Sequence, residues 1–355
     1  AVSLRDPAAR YWCKNLLEAG AAATLGLYWV DGTRYLLGGA LFAFANVCFG
    51  ASIVFYNSFL GDISSESERD LTSSRGWALG YLGGGLLLAA NLYIVSQAQS
   101  LGLSVGHAVR VCLLSAGLWW AVFTLAPMLA LQRREPVRRL SRGTSLLTAG
   151  FRQLRQTIRS ARSYPQTLLF LVSYLLYNDG IQSVISLSSS FGQEELGLPI
   201  PTLTSVILLV QFVAIFGSLL FGRLAMALGT KAALILSLVA WTTILAYAFL
   251  LLKDEAGFYV LGAAVAVVLG GSQALSRSAY SRMIPPGQES EYFSLYEVGE
   301  RGTSWLGPLL FGLALQLTGS YRIAIVSLVL FFALGLLLLT RVRFEQAFEE
   351  ARLAR

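Results

Sequence analysis

The chain has very few of the side chains on which metal and nucleophilic chemistry depend: one histidine and three cysteines in 355 residues. The cysteines, Cys13, Cys48 and Cys112, lie far apart and show no CxxC or Cys/His spacing, so they indicate small packing residues. His107 falls in a predicted outer loop and has no set of partners for a metal centre or a Ser/His/Asp triad. The sequence therefore predicts no metal, no cofactor and no enzymatic activity.

Charged residues are also scarce. They make up 13% of the chain against 55% hydrophobic residues, and the mean hydropathy is +0.62. A soluble core cannot bury that much apolar surface, so the composition indicates a membrane protein. The net charge is +7 and the pI is about 9.4. However, the basic residues crowd one central stretch and other membrane-edge positions, which argues against nucleic acid as a partner.

Apolar segments of membrane-spanning length recur along the chain. Ten are predicted, at 15–30, 34–60, 75–97, 110–131, 166–190, 202–224, 231–252, 257–279, 293–317 and 321–341. Four of them precede a basic stretch and six follow it. The prediction is an all-α integral membrane protein with four parts: an N-terminal transmembrane half at 1–131, a cytoplasmic linker at 132–165, a six-helix half at 166–342 and a cytoplasmic tail at 343–355.

Positive charges set the predicted orientation of the spans. The loops at 98–106 and 190–200 carry no Lys or Arg, whereas the linker is rich in arginine. Its arginines are Arg133, Arg134, Arg138, Arg139, Arg142, Arg152, Arg155, Arg159 and Arg162. The linker and both chain ends are therefore predicted to be cytoplasmic. The acidic loop Gly61 to Ser74 is cytoplasmic in this topology, and its carboxylates are interpreted as a solvated cluster.

The second part of the linker has the pattern of an amphipathic helix. Its apolar residues recur at helical spacing: Leu147, Phe151, Leu154 and Ile158. Its arginines at 152, 155, 159 and 162 fall on another face,. Two interpretations remain open: an interfacial helix on the anionic inner leaflet, and a solvated helix that links two membrane halves.

Asp179 is the most conspicuous charge inside a predicted span. Inserting an unpaired charge at the bilayer centre costs at least about 2.5 kcal/mol on insertion scales, so a charged residue at this position indicates a structural or functional role. Asn178 and Gly180 flank it in an apolar run, which predicts a loosened helix facing a cavity,. A carboxylate removed from water favours its protonated form, so Asp179 is a candidate proton carrier. The alternative is a helix break at the membrane edge with no role in transport.

Other polar groups lie close to Asp179 in the sequence. Gln182 is three residues away, and Tyr174 and Tyr177 occupy the same turn or adjacent turns,. These side chains could bind an amine, a carboxylate or a hydroxyl group, but tyrosines at this spacing also serve as packing residues or interfacial anchors. Asn57 is a further candidate for the pathway, although single amides in membrane helices often form interhelical hydrogen bonds.

The ninth predicted span contains a charged cluster. Glu297 lies three residues before Glu300 and four before Arg301, so one helix face can hold an ion pair with a spare carboxylate,. Arg277 lies near the cytoplasmic end of the preceding span. These four residues are predicted to form a gate or anchor near the inner surface, with direct contact to a solute as the alternative.

The loop between the predicted sixth and seventh spans has a recognisable pattern. It runs from Gly222 and Arg223 to Gly229 and Lys231, with glycines that let two helix ends approach and cations at the cytoplasmic edge,. This loop resembles a signature that major facilitator transporters repeat in each half. Met226 stands where that signature often has an acidic residue, which removes a charge partner for Arg223 or Lys231.

Several stretches together narrow the resemblance. They are FYNSFL at 55–60, SRGWALGYLGGG at 74–85, LYNDGIQ at 176–182, QALSRS at 273–278, PPG at 285–287 and GPLLFG at 307–312. In combination they resemble the vacuole-effluxer-like branch of the major facilitator superfamily. The resemblance implies a twelve-helix fold, of which about ten helices are expected here because the first two are missing. It also implies export of amino acids or similar small solutes.

The resulting prediction is a monomeric secondary transporter that works by alternating access on a small-molecule solute within the lipid bilayer. Proton coupling is left open. The expected location is a bacterial plasma membrane, or a vacuolar membrane if the source is eukaryotic. The alternative function is a non-transporting membrane protein, or a transporter fragment, that binds a partner or lipid.

Overall fold

A computed structural model of the protein describes residues 7–130 and 146–353. At 7–14, 127–130, 146–149 and 151–152 it describes the backbone alone. The linker arginines from Arg133 to Arg142 lie outside the described residues. Within the described ranges the chain is helical and contains no strand. This confirms the predicted all-α class.

Fifteen α-helices and one 3-10 helix (Leu27–Trp29) make up the described chain. The α-helices are α1 (Pro7–Gly26), α2 (Tyr35–Ser58), α3 (Leu60–Ile63), α4 (Arg69–Ser96), α5 (Val105–Ala130), α6 (Leu146–Ala161), α7 (Pro165–Leu196), α8 (Ile200–Leu228), α9 (Thr230–Leu250), α10 (Glu255–Arg282), α11 (Glu289–Thr303), α12 (Leu306–Thr318), α13 (Tyr321–Ser327), α14 (Val329–Arg341) and α15 (Phe344–Leu353).

Eight helical segments of the described chain are long and apolar enough to cross a membrane, and two of them join consecutive helices, α2 with α3 and α13 with α14. They cover Tyr35–Ile63, Arg69–Ser96, Val105–Ala126, Pro165–Leu196, Ile200–Leu228, Thr230–Leu250, Glu255–Arg282 and Tyr321–Arg341. Each corresponds to one predicted span. The other two predicted spans are also helical but less regular, since the first falls on α1 and the 3-10 helix, and the ninth is divided between α11 and α12.

The division of the ninth span lies at Ser304 and Trp305, between α11 and α12. The hydroxyl of Ser304 donates to the carbonyl oxygen of Arg301 at 3.0 Å, and the indole N–H of Trp305 donates to that of Gly302 at 2.9 Å. These bonds satisfy carbonyl groups that the end of α11 leaves free. Pro308 follows in the first turn of α12, where a missing N–H costs nothing.

The described helices fall into two compact units. Among the described residues, the first unit comprises 7–59, 83–130, 146–154 and 287–294, and the second comprises 60–82, 155–286 and 295–353. Unit boundaries therefore fall within α4, α6 and α11.

Close glycine contacts hold the first unit together. A Cβ on Gly20 would lie 2.4 Å from the ring of Trp120, and one on Gly117 would lie 2.9 Å from Leu25. These contacts bring α1 against α5. Cys48 is fully buried at the α1–α2 contact, as expected of a small packing residue,.

The second unit is built around α7 and α10. In α10, Gly270 and Gly271 lie so close to α8 that an added Cβ would come within 2.1 Å of Ser218 and 2.2 Å of Phe221, respectively. In α7, the hydroxyl of Ser173 donates to the carbonyl oxygen of Gly335 in α14 at 2.7 Å. Close packing at small residues and this hydrogen bond position α7 and α10.

The C-terminal helix α15 packs on the end of α7 in the second unit. Phe344, Ala347 and Ala351 are buried, and the ring of Phe344 meets that of Phe170 edge to face at 5.7 Å. The segment predicted as a cytoplasmic tail therefore contains a helix that folds onto this unit.

Candidate functional site

α7 carries most of the predicted pathway residues. It begins with Pro165 at its first position and ends at Gly197, which adopts a left-handed conformation with φ of 63°. Between these ends Tyr174, Tyr177, Asn178 and Asp179 are buried within an otherwise apolar helix. The expected loosening beside Gly180 is not seen, since α7 is continuous there. The glycine instead allows close packing, since a Cβ would lie 2.9 Å from the ring of Phe332.

Asp179 is 2% exposed. Neither of its carboxylate oxygens has a hydrogen-bond partner of ordinary geometry in the described structure, although the backbone amide of Gly307 is close enough to interact weakly. The contact with α12 is tight here, because a Cβ on Gly307 would lie 1.8 Å from the hydroxyl of Ser183. A buried carboxylate without donors is costly as an anion, and protonation removes that cost.

Asn178 and Tyr177 connect α7 to α10. The side-chain oxygen of Asn178 accepts a hydrogen bond from the amide of Gln273 at 2.8 Å. The hydroxyl of Tyr177 lies 2.6 Å from that of Ser276. Gln273 and Ser276 were not predicted as site residues, although both belong to the QALSRS stretch, and their spacing of three residues places them on one face of α10.

Glu300 joins the predicted pathway to the predicted gate. Its carboxylate accepts a hydrogen bond from the hydroxyl of Tyr174 at 2.6 Å and one from the amide of Gln182 at 3.3 Å. The ring of Tyr174 also stacks on that of Tyr296, with centroids 4.0 Å apart. The structure therefore brings α7 and α11 together through one half-buried carboxylate and a pair of aromatic rings.

The other predicted gate residues lie in different surroundings. Glu297 is buried, whereas Arg301 on the same helix is exposed. Arg277 points to α4, where its Nε donates to the hydroxyl of Ser73 at 3.0 Å and its Nη2 to the carbonyl oxygen of the same residue at 2.9 Å. Asn57 is buried near the end of α2, in the first unit.

The acidic loop contains a functional candidate that the sequence analysis missed. Asp70 was interpreted as part of a solvated cluster, but it is buried. Both of its carboxylate oxygens accept from Nη2 of Arg282 at 2.9 Å, and one also accepts from the hydroxyl of Thr230 at 2.7 Å. Asp70 is buried because it lies in the first turn of α4, and this turn belongs to the second unit, next to the end of α10.

The loop motif is adjacent to this ion pair. Gly222 lies so close to α4 that a Cβ would come within 2.7 Å of Ser74, and Gly229 has a positive φ of 85° that favours glycine,. Lys231 donates to the carbonyl oxygens of Thr340 and Val342 at 2.9 and 2.8 Å, where it stabilises the end of α14,. Arg223 is exposed. Asp70 thus supplies, from the first turn of α4, a carboxylate next to a motif that lacks one.

A second ion pair attaches α15 to the acidic loop. Glu66 accepts a hydrogen bond from Arg352, and this bond holds the pKa of the Glu66 carboxyl below its usual range. In the middle of α15, the ring of Phe348 lies 5.0 Å from the guanidinium of Arg282. α15 therefore contacts both the acidic loop and the end of α10.

We expect the attachment of α15 to weaken in acid. A carboxyl with a lowered pKa in the folded state stabilises that state above its unfolded pKa, and the contribution is lost as the pH falls through the folded value. Amide hydrogen exchange of α15, compared at neutral pH and below about pH 4, should show faster opening in acid. The variant Glu66→Gln should open equally fast at both pH values after correction for intrinsic exchange, and an unchanged pH response in that variant would contradict this assignment.

Metal chemistry finds no support in the described residues, where no three His, Cys, Asp or Glu side chains converge as ligands. The polar groups on α7, α10 and α11 offer hydrogen bonds, negative charge and aromatic faces. Such groups can bind a polar solute within an apolar helical unit.

Comparisons with known proteins agree with this description. The sequence profile of a family described as "Vacuole effluxer Atg22 like" matches residues 15–71 and 61–352. An uncharacterized MFS-type transporter, YxiO of Bacillus subtilis, is 30% identical over 328 residues, which cover 92% of this chain and 76% of YxiO. Autophagy-related protein 22 of Eremothecium gossypii is 27% identical over 343 residues, covering 88% of this chain but 66% of that protein, slightly under two thirds.

Solved structures of the same fold are more distant in sequence. A single-residue variant of the fucose:proton symporter FucP of E. coli superposes with a TM-score of 0.69 at 14% identity, covering 96% of this chain and 84% of FucP. The human organic anion transporter MFSD10 gives a TM-score of 0.63 at 16% identity, covering 93% and 80% of the two chains. At these identities the likeness concerns the fold.

Proposed function

Because the chain belongs to the vacuole effluxer-like family of the major facilitator superfamily, we propose that it exports amino acids or similar small polar solutes and that Asp179 carries the coupling proton. The protein is a multi-pass membrane transporter and not an enzyme. The solute class, the direction, the proton and a monomeric state are parts of the proposal.

The buried carboxylate of Asp179 is the observation that carries the proposal. A residue that served only to hold helices together would be expected to have hydrogen-bond partners, as Asn178 and Tyr177 do,. Among the described residues, Asp179 has no hydrogen-bond partner of ordinary geometry. It nevertheless lies in a membrane-spanning helix, close to Asn178 and Tyr177, which do have such partners. A group in this environment is stable when neutral and becomes stable as an anion only when water or a donor reaches it.

Alternating access provides that change of surroundings. When Asp179 faces water it can release its proton, and when it is enclosed again it must take one up. If solute and proton use the shared pathway on opposite strokes, an inward proton gradient drives outward movement of the solute. The neighbouring groups Asn178, Tyr177, Tyr174 and Gln182 are proposed to line this pathway, with Glu297, Glu300, Arg301 and Arg277 gating it.

Efflux from proteoliposomes tests this proposal. Vesicles loaded with a mixture of amino acids should release the transported amino acids faster when an inward proton gradient, with the more acidic solution outside, is imposed across the membrane. The variant Asp179→Asn is permanently neutral, so it should lose the acceleration by the gradient but keep exchange of solute between equal pools. Asp31→Asn is the matched control, because Asp31 lies in an exposed loop with 54% of its side chain accessible, and this variant should behave as the wild type.

Two results would contradict the proposal. Gradient-driven efflux by Asp179→Asn at the wild-type rate would reduce Asp179 to a structural residue. Absence of efflux from wild-type vesicles for every amino acid would exclude the proposed solute class. It would favour the alternative function, a non-transporting membrane protein that binds a partner or lipid.

A further inference from the structure

Glu300 has an unusual set of neighbours for a carboxylate in the transmembrane half. Its two hydrogen-bond donors, Tyr174 and Gln182, are both neutral. No ion pair in the described part of the chain includes it. Glu300 is half-buried, not fully enclosed. The negative charge is therefore oriented by neutral groups and left without a cation from the described protein.

Aromatic rings surround the same position. Tyr174 stacks on Tyr296 with a centroid distance of 4.0 Å, and it meets Tyr177 edge to face at 5.6 Å. Tyr280 approaches Tyr296 at 5.2 Å. The faces of such rings carry negative potential, and they attract cations. Tyr174 and Tyr296 are nearly fully buried and stack on each other, so they border Glu300 with aromatic surface that carries no positive charge.

The charges near Glu300 also favour a cation. Arg301 is exposed, and as the next residue it projects about 100° away around the helix,. Arg277 makes two hydrogen bonds to Ser73 on α4. The carboxylate group of a solute would therefore meet negative charge at this position, while an ammonium group would meet its complement.

From this geometry we infer that the solute site recognises an ammonium group, that Glu300 binds it beside Tyr174 and Tyr296, and that the preferred solutes are small organic amines with a net positive charge. This inference rests on the proposed transport function and narrows its solute class. Zwitterionic amino acids bind more weakly because Glu300 repels their carboxylate. Neutral amides and anions without an ammonium group are excluded.

The variant Glu300→Gln separates this role from a structural one. Glutamine keeps an acceptor oxygen for the hydroxyl of Tyr174 and the same side-chain length, so the contact between α7 and α11 can persist. It removes the charge, and with it the attraction for an ammonium group. A structural role predicts a change in thermal unfolding, whereas a binding role predicts a change in affinity at unchanged unfolding temperature.

Isothermal titration of the full chain in detergent with three related probes tests the inference. At about pH 6 phenylalaninamide is a cation, phenylalanine is a zwitterion, and 3-phenylpropanamide lacks the ammonium group. We expect phenylalaninamide to bind most tightly, phenylalanine more weakly, and 3-phenylpropanamide not at all. Glu300→Gln should weaken binding of phenylalaninamide by about tenfold or more. Glu345→Gln, on the exposed surface of α15, is the matched control and should bind as the wild type does.

The outcomes distinguish the two proposals. Equal binding of phenylalaninamide and 3-phenylpropanamide, tighter binding of phenylalanine than of its amide, or unchanged affinity in Glu300→Gln would each overturn the ammonium site while leaving transport intact. If wild-type vesicles export amino acids but no probe binds, the ammonium site is again wrong. If there is neither export nor binding, the proposed function itself fails.

Discussion

Replacing Arg282 by methionine should lower the free energy of unfolding by about 3 kcal/mol, because the carboxylate of Asp70 then stays buried without its cation. In the folded protein Asp70 is 6% exposed and both of its oxygens accept from Arg282. Thr230 remains as a donor, but a neutral hydroxyl offsets only part of the cost of burying a charge,. Thermal unfolding in detergent, followed by tryptophan fluorescence, measures the loss.

Two further variants make the result specific to the buried ion pair. Arg352→Met removes the cation of the exposed pair with Glu66, whose side chains are 60% and 52% accessible, and it should change the unfolding temperature little,. The double variant Asp70→Asn with Arg282→Met removes the buried charge as well and should recover a large part of the loss. Equal destabilisation by Arg282→Met and Arg352→Met would show that burial of Asp70 is not the cause.

Replacing Gly217 by alanine should destabilise the second unit by about 3 kcal/mol, the upper end of the usual cost of overpacking. An added Cβ would lie 2.3 Å from the carbonyl oxygen of Val267 and 2.6 Å from its Cα. Both neighbours are backbone atoms of α10, so no rotamer change relieves the contact and the two helices must separate. The yield of monodisperse protein and its unfolding temperature measure the effect.

Gly312→Ala is the control for this substitution. Gly312 also lies in an apolar helix, α12, but a Cβ there would have no heavy atom within 4 Å. Alanine favours the helix by up to about 1 kcal/mol relative to glycine, so this variant should be neutral or slightly more stable. A similar loss in both variants would mean that the α8–α10 contact is looser than the structure indicates.

Much of the fold is predictable from the sequence because lipid leaves few options for the backbone. A membrane-spanning segment must satisfy its own peptide groups, and so a long apolar run is almost always a helix. Eight predicted spans match helices of the described chain on this basis. The ninth was predicted as continuous at 293–317, but hydropathy averages over the Ser304–Trp305 interruption and does not detect it.

The candidate site was predictable residue by residue but not as an arrangement. Asp179, Gln182 and Glu300 stand out because polar groups inside apolar runs are costly. Their partners depend on which helix faces meet, and a single sequence does not contain that information. The hydrogen bond between Asn178 and Gln273 is an example, since 95 residues separate them.

Asp70 shows why a local composition can mislead. Its neighbours in the sequence are acidic and polar, which is typical of a solvated loop. Its surroundings in the fold are set by Arg282, which lies 212 residues further along the chain. Burial of this carboxylate follows from packing of α4 on the end of α10, a tertiary contact that local charge patterns do not reveal.

The interruption between α11 and α12 has a mechanical consequence. A continuous helix behaves as a stiff rod, so that displacement of one end tilts the whole length. Here the helix is interrupted at Ser304 and Trp305, and Glu300 lies about one turn before that joint. A joint at this position separates the polar half of the span, which carries Glu300, from the apolar half, so the two halves need not tilt as one rod.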